Sequence, residues 1–235
     1  MSTGRPAQGL RALIVDDAPE IRRVLERALA ADGFTVEEAS DGERALAAAR
    51  ARPPDIVVLD LGLPSMDGIE VCRRLRAFSD AYVIILTSRD EEIDTLVGLA
   101  AGADDYVRKP ASGRQIVARA RAMLRRPRGA RAAGEGGVEA VRRIGDLEVD
   151  TGAREVTIAG RVVGLTRIEF DLLDALTANP RVVVSRTALL EGIWGANWYG
   201  DDHVVDVHIS NLRRKIGAGY VRTVRGVGYR MGDGN

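Results

Sequence analysis

The positions whose types and spacing could do chemistry together are Asp16, Asp17, Asp60, Thr87 and Lys109. Asp16 and Asp17 follow the apolar run Leu13-Ile14-Val15, Asp60 follows Ile56-Val57-Val58-Leu59, Thr87 follows Val83-Ile84-Ile85-Leu86, and Lys109 lies just past Asp105-Tyr106-Val107. Each stands at the carboxyl end of a short apolar run, the end at which open parallel sheets gather reactive groups. Three carboxylates from two such runs, converging with a lysine, predict a Mg2+ site with an open coordination position. Magnesium takes a few oxygen ligands plus waters and completes its octahedron with a phosphate oxygen. A divalent cation also relieves the repulsion among the acids. A carboxylate so placed can attack phosphorus while the cation and the lysine neutralise charge on the transferring group. Singly, each acid would be an ordinary solvated loop residue; the order of the set, one at each strand end, is the signal.

A second set lies near the other end of the chain. The stretch Asp201 to Ile216 begins with acids and ends with bases, as the helix dipole favours. Val205, Ile209, Leu212 and Ile216 fall on one stripe that predicts a core-facing side. His203, Val207, Ser210 and Arg214 then fall opposite, flanked by Asn211 and Arg213. A valine among polar and basic groups suits entry into a DNA major groove, where it can touch a thymine methyl while Asn or Arg reads base edges. Further on, Tyr220 to Arg230 reads as two short strands about a glycine-containing turn, which places Thr223 and Arg225 near a tip that can enter a minor groove. The bland alternative is an amphipathic surface helix with a solvated face.

For the first set to meet, the apolar runs must be neighbouring strands. Thr35-Val36 supplies a further strand, and Glu20–Ala31, Gly42–Arg50, Gly68–Phe78, Ile93–Ala101 and Gly113–Arg126 carry helical spacing between them. Strand and helix alternating in this way predict a doubly wound α/β domain, flavodoxin-like, with five parallel strands. Its central runs are almost wholly apolar because both faces of the sheet are covered. Residues 125–143 (RRPRGARAAGEGGVEAVRR) have no apolar period, four glycines and a proline, and are expected to form a flexible linker between a domain at 1–124 and one at 144–235. In the second domain, strands are expected at Leu147-Glu148-Val149, Glu155 to Ile158 and Arg161-Val162-Val163. Three helical stretches follow, one of them capped by Ser185, and then the closing hairpin. This is the pattern of an α+β module with a helix-loop-helix core.

Composition bounds the function. The 235 residues are 46% hydrophobic and balance 34 basic against 34 acidic side chains, so no global field marks a nucleic-acid or membrane binder. Locally, residues 1–124 hold 17 basic and 20 acidic groups (net −3), 125–143 hold 6 and 2 (net +4), and 144–235 hold 11 and 12 (net −1). Positions 207–232 carry Arg213, Arg214, Lys215, Arg222, Arg225 and Arg230 with no acid, a patch fit for a phosphate backbone. No apolar run approaches membrane-span length and the N-terminus lacks a signal layout, so a cytoplasmic protein is expected. The single cysteine, Cys72, excludes an internal disulfide framework and is expected to pack on a helix.

The runs Val15-Asp16-Asp17, Asp55 to Gly68 (DIVVLDLGLPSMDG), Leu86-Thr87-Ser88 and Gly102 to Pro110 (GADDYVRKP) together resemble the receiver domain of bacterial two-component response regulators. The resemblance implies that Asp60 accepts a phosphoryl group from a sensor histidine kinase. It implies that Asp16, Asp17, Asp60 and the Gly62 carbonyl hold Mg2+, that Thr87 and Lys109 contact the phosphoryl oxygens, and that Tyr106 is the switch aromatic. Receivers of this class dimerise through the fourth helix, fifth strand and fifth helix, where Asp104, Asp105 and Arg119 fit the pattern of paired charges. Thr95 and Gln115 depart from it, and Ala111 replaces the usual phenylalanine after Lys109-Pro110. A dimer that is weaker or shifted is expected.

The runs Leu165 to Leu173 (LTRIEFDLL), Ile193-Trp194-Gly195, Val205 to Ile209 (VDVHI) and Thr223 to Tyr229 (TVRGVGY) are similar to the winged-helix effector domain of the OmpR/PhoB class. That resemblance implies binding of promoter DNA by a homodimer, with the loop Gly195 to Asp201 as a candidate contact for RNA polymerase. It also implies structural roles for Trp194, Asp206 and His208. His203, Ser210 and Asn211 stand where arginine is frequent, so a particular DNA sequence is expected. The whole chain then reads as a phosphorylation-controlled transcription regulator whose receiver undergoes phosphoryl transfer and slow autodephosphorylation, not an enzyme of sustained turnover. Two alternatives stay open: a DNA-binding regulator whose receiver no longer answers to phosphate, and a Mg2+-dependent aspartyl-phosphate phosphohydrolase. The latter wants a second acid two residues after the nucleophile, where Asp60 is followed by Leu61 and Gly62.

Overall fold

The computed structural model describes residues 9–87, 97–124, 141–195, 198 and 203–234. The chain divides into two compact units, residues 1–120 and 121–235.

In the first unit, strands β1 (Arg11–Val15), β2 (Thr35–Ala39), β3 (Ile56–Asp60), β4 (Tyr82–Thr87) and β5 (Asp105–Arg108) form one sheet in the order β2-β1-β3-β4-β5. Every adjacent pair is parallel. Every residue of β3 and β4 is buried, which explains why both are apolar up to their last residues, Asp60 and Thr87. Helices α1 (Pro19–Ala31), α2 (Gly42–Ala51) and α3 (Gly68–Arg76) follow the first three strands; a helical stretch at residues 97–100 (α4) precedes β5, and α5 (Gly113–Leu124) follows it. Asp41 and Asp67 cap α2 and α3, accepting from the backbone N–H groups of Arg44 and Ile69. Ile93 to Leu96 of the expected fourth helix, with Thr95, and residues 125–126 lie outside the described residues. Cys72 is fully buried on α3, and burial pushes its thiol pKa up to about 11, so it packs as a small apolar group.

In the second unit, β6 (Val141–Ile144), β7 (Leu147–Asp150), β8 (Glu155–Ile158) and β9 (Arg161–Val162) form an antiparallel sheet. Three helices follow: α6 (Arg167–Ala178), α7 (Arg186–Trp194) and α8 (His203–Ile216). A last sheet has the order β10-β12-β11, from β10 (Val184–Ser185), β11 (Val221–Val224) and β12 (Gly228–Met231). Thr166 and Glu169 form a reciprocal capping box at α6, and the Ser185 hydroxyl accepts from Ala188 N–H at α7.

The expected linker is too long at its carboxyl end. Val141, Arg142 and Arg143 belong to β6, which pairs with β7 across a turn in which Gly145 has φ 57. Arg142 and Arg143 are strand residues with partners: Arg142 Nη1 donates to Asp174 Oδ1 at 2.8 Å, and Arg143 Nε to Glu148 Oε1 at 2.8 Å. The remaining residues, 125–140, lie outside the described ones. Among the described residues no helix is long and apolar enough to cross a membrane.

Candidate functional site

Strand order reverses between β1 and β3, and a crevice opens at the carboxyl ends of two such strands. Asp16 follows β1 directly and Asp60 is the last residue of β3, so the topology alone brings the acids together. Carboxylate oxygens of Asp16, Asp17 and Asp60 lie within 4.8 Å of one another, with Asp16 and Asp60 buried and Asp17 exposed. Six oxygens at about 2.1 Å from one Mg2+ are at most about 4 Å apart, so modest side-chain rotation closes the set on a cation. An all-oxygen donor group with one exposed member suits a hard ion that keeps waters, and the residues therefore fit Mg2+.

Lys109 Nζ lies 3.0 Å from Asp16 Oδ2 and 2.9 Å from Asp60 Oδ1. The Asp60 pKa is raised, chiefly by burial and further by the Asp16 charge, against the lowering effects of the Lys109 hydrogen bond and charge and of the Gly62 N–H. For Lys109, burial works against its charge but is outweighed by the hydrogen bonds to Asp60 and Asp16 together with the charges of those two acids, and its pKa rises. The lysine arrives by a backbone route, its N–H donating to the Thr87 carbonyl at 2.6 Å. Thr87 and Tyr106 are buried at the end of β4 and within β5.

Two further residues build this site that the sequence reading did not single out. Arg22 Nη1 donates to the main-chain oxygens of both Asp16 and Asp17, at 2.7 and 3.0 Å, while its Nε pairs with Glu38 at 3.1 Å. Gly68 lets the β3–α3 loop close on the strand end: a Cβ there would lie 2.4 Å from the Asp60 carbonyl oxygen. The placing of Arg22 five residues after Asp17, early in α1, was visible in the sequence, but its backbone targets were not.

The three residues expected to pair across a dimer are buried and paired within the unit. Asp104 meets Arg76 Nη2 at 2.5 Å and also accepts from Val83 N–H at 2.8 Å, while Asp105 meets Arg119 Nη1 at 2.6 Å. All three are under a tenth exposed. Within this unit these side chains are buried charges with partners of their own.

In the second unit, Val205, Ile209, Leu212 and Ile216 are all buried, as their spacing predicts. His203, Ser210, Arg214, Thr223 and Arg225 are exposed and Val207 is half-buried. Asn211 corrects the expectation of a DNA-facing flank: it is 4% exposed. Val204, His208 and Asn211 form a second stripe at i, i+4 and i+7, which widens the buried arc of α8. Arg213 is directed at the last sheet, donating to Val221 and Thr223. Trp194 is buried with the His208 ring tilted against it, centroids 5.6 Å apart, and Asp206 accepts from Arg186 Nε at 2.9 Å and from the Tyr229 hydroxyl, so all three are structural as expected. Of the loop from Gly195 to Asp201 only Gly195 and Trp198 are described.

Comparison with known proteins agrees with both units. Residues 12–121 match the response regulator receiver domain and residues 160–231 the C-terminal domain of transcriptional regulatory proteins. The chain is 47% identical over 234 residues to the transcriptional regulatory protein CseB of Streptomyces coelicolor, covering 96% of this chain and 99% of that one. It is 44% identical to the DNA-binding response regulator MtrA of Mycolicibacterium smegmatis, over 94% of this chain and 96% of the relative. A solved structure of a RitR mutant superposes with a TM-score of 0.79 at 28% identity, covering 96% of this chain and all (100%) of the other. With an acid crevice at the switch point of one unit and a winged helix in the other, the chain belongs to the OmpR/PhoB class of two-component response regulators, the receiver-plus-effector transcription regulators.

Proposed function

We propose that Asp60 is the phosphoacceptor and that its modification sets how tightly the chain binds promoter DNA. The observation that carries this is the Lys109 ammonium, within 3.0 Å of both Asp16 and Asp60, inside a crevice that also collects Asp17. An Asp60 oxygen forms a bond to phosphorus as the bond from phosphorus to the imidazole nitrogen of a sensor histidine kinase breaks, and that nitrogen regains a proton. Asp16, Asp17, Asp60 and the Gly62 carbonyl would hold Mg2+, which when bound supplies charge neutralisation on the phosphoryl oxygens. Lys109 keeps its proton and stays cationic toward those oxygens, and the Thr87 hydroxyl donates to one of them. Tyr106 packs inward as Thr87 is drawn over. Water attacking the acyl phosphate reverses the modification slowly.

The modified receiver pairs with a second copy through the face made by its fourth helix, β5 and α5. Asp104, Asp105 and Arg119 act from beneath that face by tying β5 to its neighbours. Pairing places two effector units on adjacent DNA half-sites, and the joint binding amplifies a modest population shift. In each, His203, Val207, Ser210 and Arg214 meet the major groove and Arg225 the minor groove, in the cytoplasm of the cell. The loop from Gly195 to Asp201 is the surface offered to RNA polymerase.

The test is DNA affinity for genomic fragments at fixed salt, with and without a small phosphodonor and Mg2+, beside Asp60→Asn. Tighter binding that needs both the donor and Asp60 is the expected result. Equal affinity in every condition would overturn phosphate control, and sustained hydrolysis of small phosphate esters would overturn the regulator reading altogether.

A further inference from the structure

The exposed arginines of a DNA-binding unit are ordinarily assigned to phosphates, and Arg213 at the basic end of α8 invites that assignment. Its surroundings point elsewhere. The guanidinium directs Nε and Nη2 to the same main-chain oxygen, that of Val221, at 2.9 and 2.7 Å, and Nη2 also reaches the Thr223 hydroxyl at 2.8 Å. Val221 and Thr223 belong to β11, the edge strand of a sheet whose order is β10-β12-β11. An edge strand presents main-chain groups with no strand partner, and a planar fork of N–H donors from a helix can satisfy them.

The same corner holds the other end of the hairpin. Arg213 lies over the Tyr229 ring at 5.7 Å, and Arg186 of α7 lies over it at 4.9 Å. The Tyr229 hydroxyl donates to Asp206 of α8, to which Arg186 also donates at 2.9 Å. Burial and the Asp206 carboxylate push the Tyr229 pKa up to about 12, so the phenol keeps its proton and remains a donor at any working pH. Both strands of the hairpin are thus tied to α8, β12 through Tyr229 and Asp206, β11 through Arg213. Beyond these ties lies the turn with Arg225 exposed and Gly226 at φ 73.

We infer that Arg213 and Thr223 form a latch that fixes the hairpin against α8, so that Arg213 positions the Arg225 tip instead of contacting DNA itself. The inference rests on the proposed DNA binding by α8 and the hairpin. Its physical content is preorganisation: two DNA-reading elements joined rigidly lose less freedom on binding than two that move independently. A latch and a phosphate contact differ in one measurable respect. Neutralising a phosphate releases counterions, so losing such a contact lowers the slope of log affinity against log salt by about 0.9, whereas losing a latch leaves the slope alone.

The experiment uses the full chain and, as probe, the tightest duplex recovered from a genomic selection with the wild-type protein. Affinity is measured across salt for wild type, Arg213→Gln, Thr223→Val, Arg225→Ala and the Arg213→Gln/Arg225→Ala pair. Thr223→Val removes one hydroxyl at an exposed strand position and keeps the test alive if Arg213→Gln fails to fold. The expected result is a loss of about fivefold to tenfold for Arg213→Gln and two- to threefold for Thr223→Val, both with the wild-type slope, against a slope lower by about 1 for Arg225→Ala. In the pair, the losses should combine to less than their product, because without Arg225 the tip makes no contact whose ordering the latch would favour. A slope lower by about 1 for Arg213→Gln, or losses that multiply, would overturn the latch while leaving DNA binding intact. A wild-type protein that selects no duplex would remove the DNA reading and the latch with it.

Discussion

Lys109 Nζ stands 2.9 Å from Asp60 Oδ1, yet the pKa of that carboxyl is raised. Burial at the end of β3 is the largest cause, and with the neighbouring Asp16 charge it prevails over the lysine. The receiver therefore holds its phosphoacceptor carboxylate at an energetic cost, which a bound cation would relieve.

That cost is measurable as a pH dependence. A raised carboxyl pKa means the folded chain binds the proton more tightly than the unfolded chain, whose value is near 3.8. Stability from this group is fully present below that value and is lost as pH rises through the folded pKa. In metal-free buffer at neutral pH, Asp60→Asn is expected to melt higher than wild type. The gap should close as pH falls toward about 4, the reference region of the carboxyl. Scanning calorimetry against pH checks it; an Asn variant no more stable than wild type at neutral pH contradicts the account.

Adding Mg2+ should stabilise the first unit alone, by RT ln(1 + [Mg2+]/Kd), and Asp16→Asn should abolish the effect. Arg22 gives this prediction a sign. Removing a positive charge beside the acid pair would tighten cation binding on Coulomb grounds, but Arg22 also holds the Asp16 and Asp17 carbonyls. Arg22→Ala is expected to weaken Mg2+ about tenfold by calorimetric titration, as for lost outer supports of metal ligands. Tighter binding would show that the charge outweighs the brace.

Gly68→Ala should damage the crevice from behind. The added methyl would meet the Asp60 oxygen at 2.4 Å and the Leu61 Cα at 2.7 Å, and neither backbone can yield cheaply. A loss of about 1–3 kcal/mol is expected, together with slower labelling by a small phosphodonor. Wild-type labelling at wild-type stability would mean that the loop has slack.

In the second unit, Lys215 Nζ at the end of α8 lies 2.6 Å from Glu169 Oε2, a side chain only 2% exposed at the start of α6. Lys215→Met leaves that carboxylate buried with the Thr166 N–H as its remaining hydrogen-bond donor among those described, at 2.7 Å. The effector transition in urea should fall by about 1–3 kcal/mol, and Glu169→Gln in addition should recover part of the loss. The receiver transition should not move. A single variant as stable as wild type would show that solvent at the exposed lysine screens the pair.

The sequence by itself determined which residues could form strands and helices, because period and capping are local. The apolar runs of β3 and β4, the stripe Val205-Ile209-Leu212-Ile216 and the Ser185 cap all follow from neighbours within a few positions. It also determined the acid crevice, since a parallel sheet sends every strand's carboxyl end to one side. Partners distant in the chain were decided only by the tertiary structure. β10 has two residues and exists because Gly228 of β12 passes so close that a Cβ would lie 2.0 Å from the Val184 oxygen. Asn211 looked solvent-facing until α8 packed over a wider arc, and only the fold brings the Val221 carbonyl of β11 to Arg213. Asp104 and Asp105 looked like surface charges until Arg76 and Arg119 folded onto them. A charged side chain's role depends on which opposite group or open backbone edge the fold brings within about 3 Å, and residue type and spacing do not encode that distance.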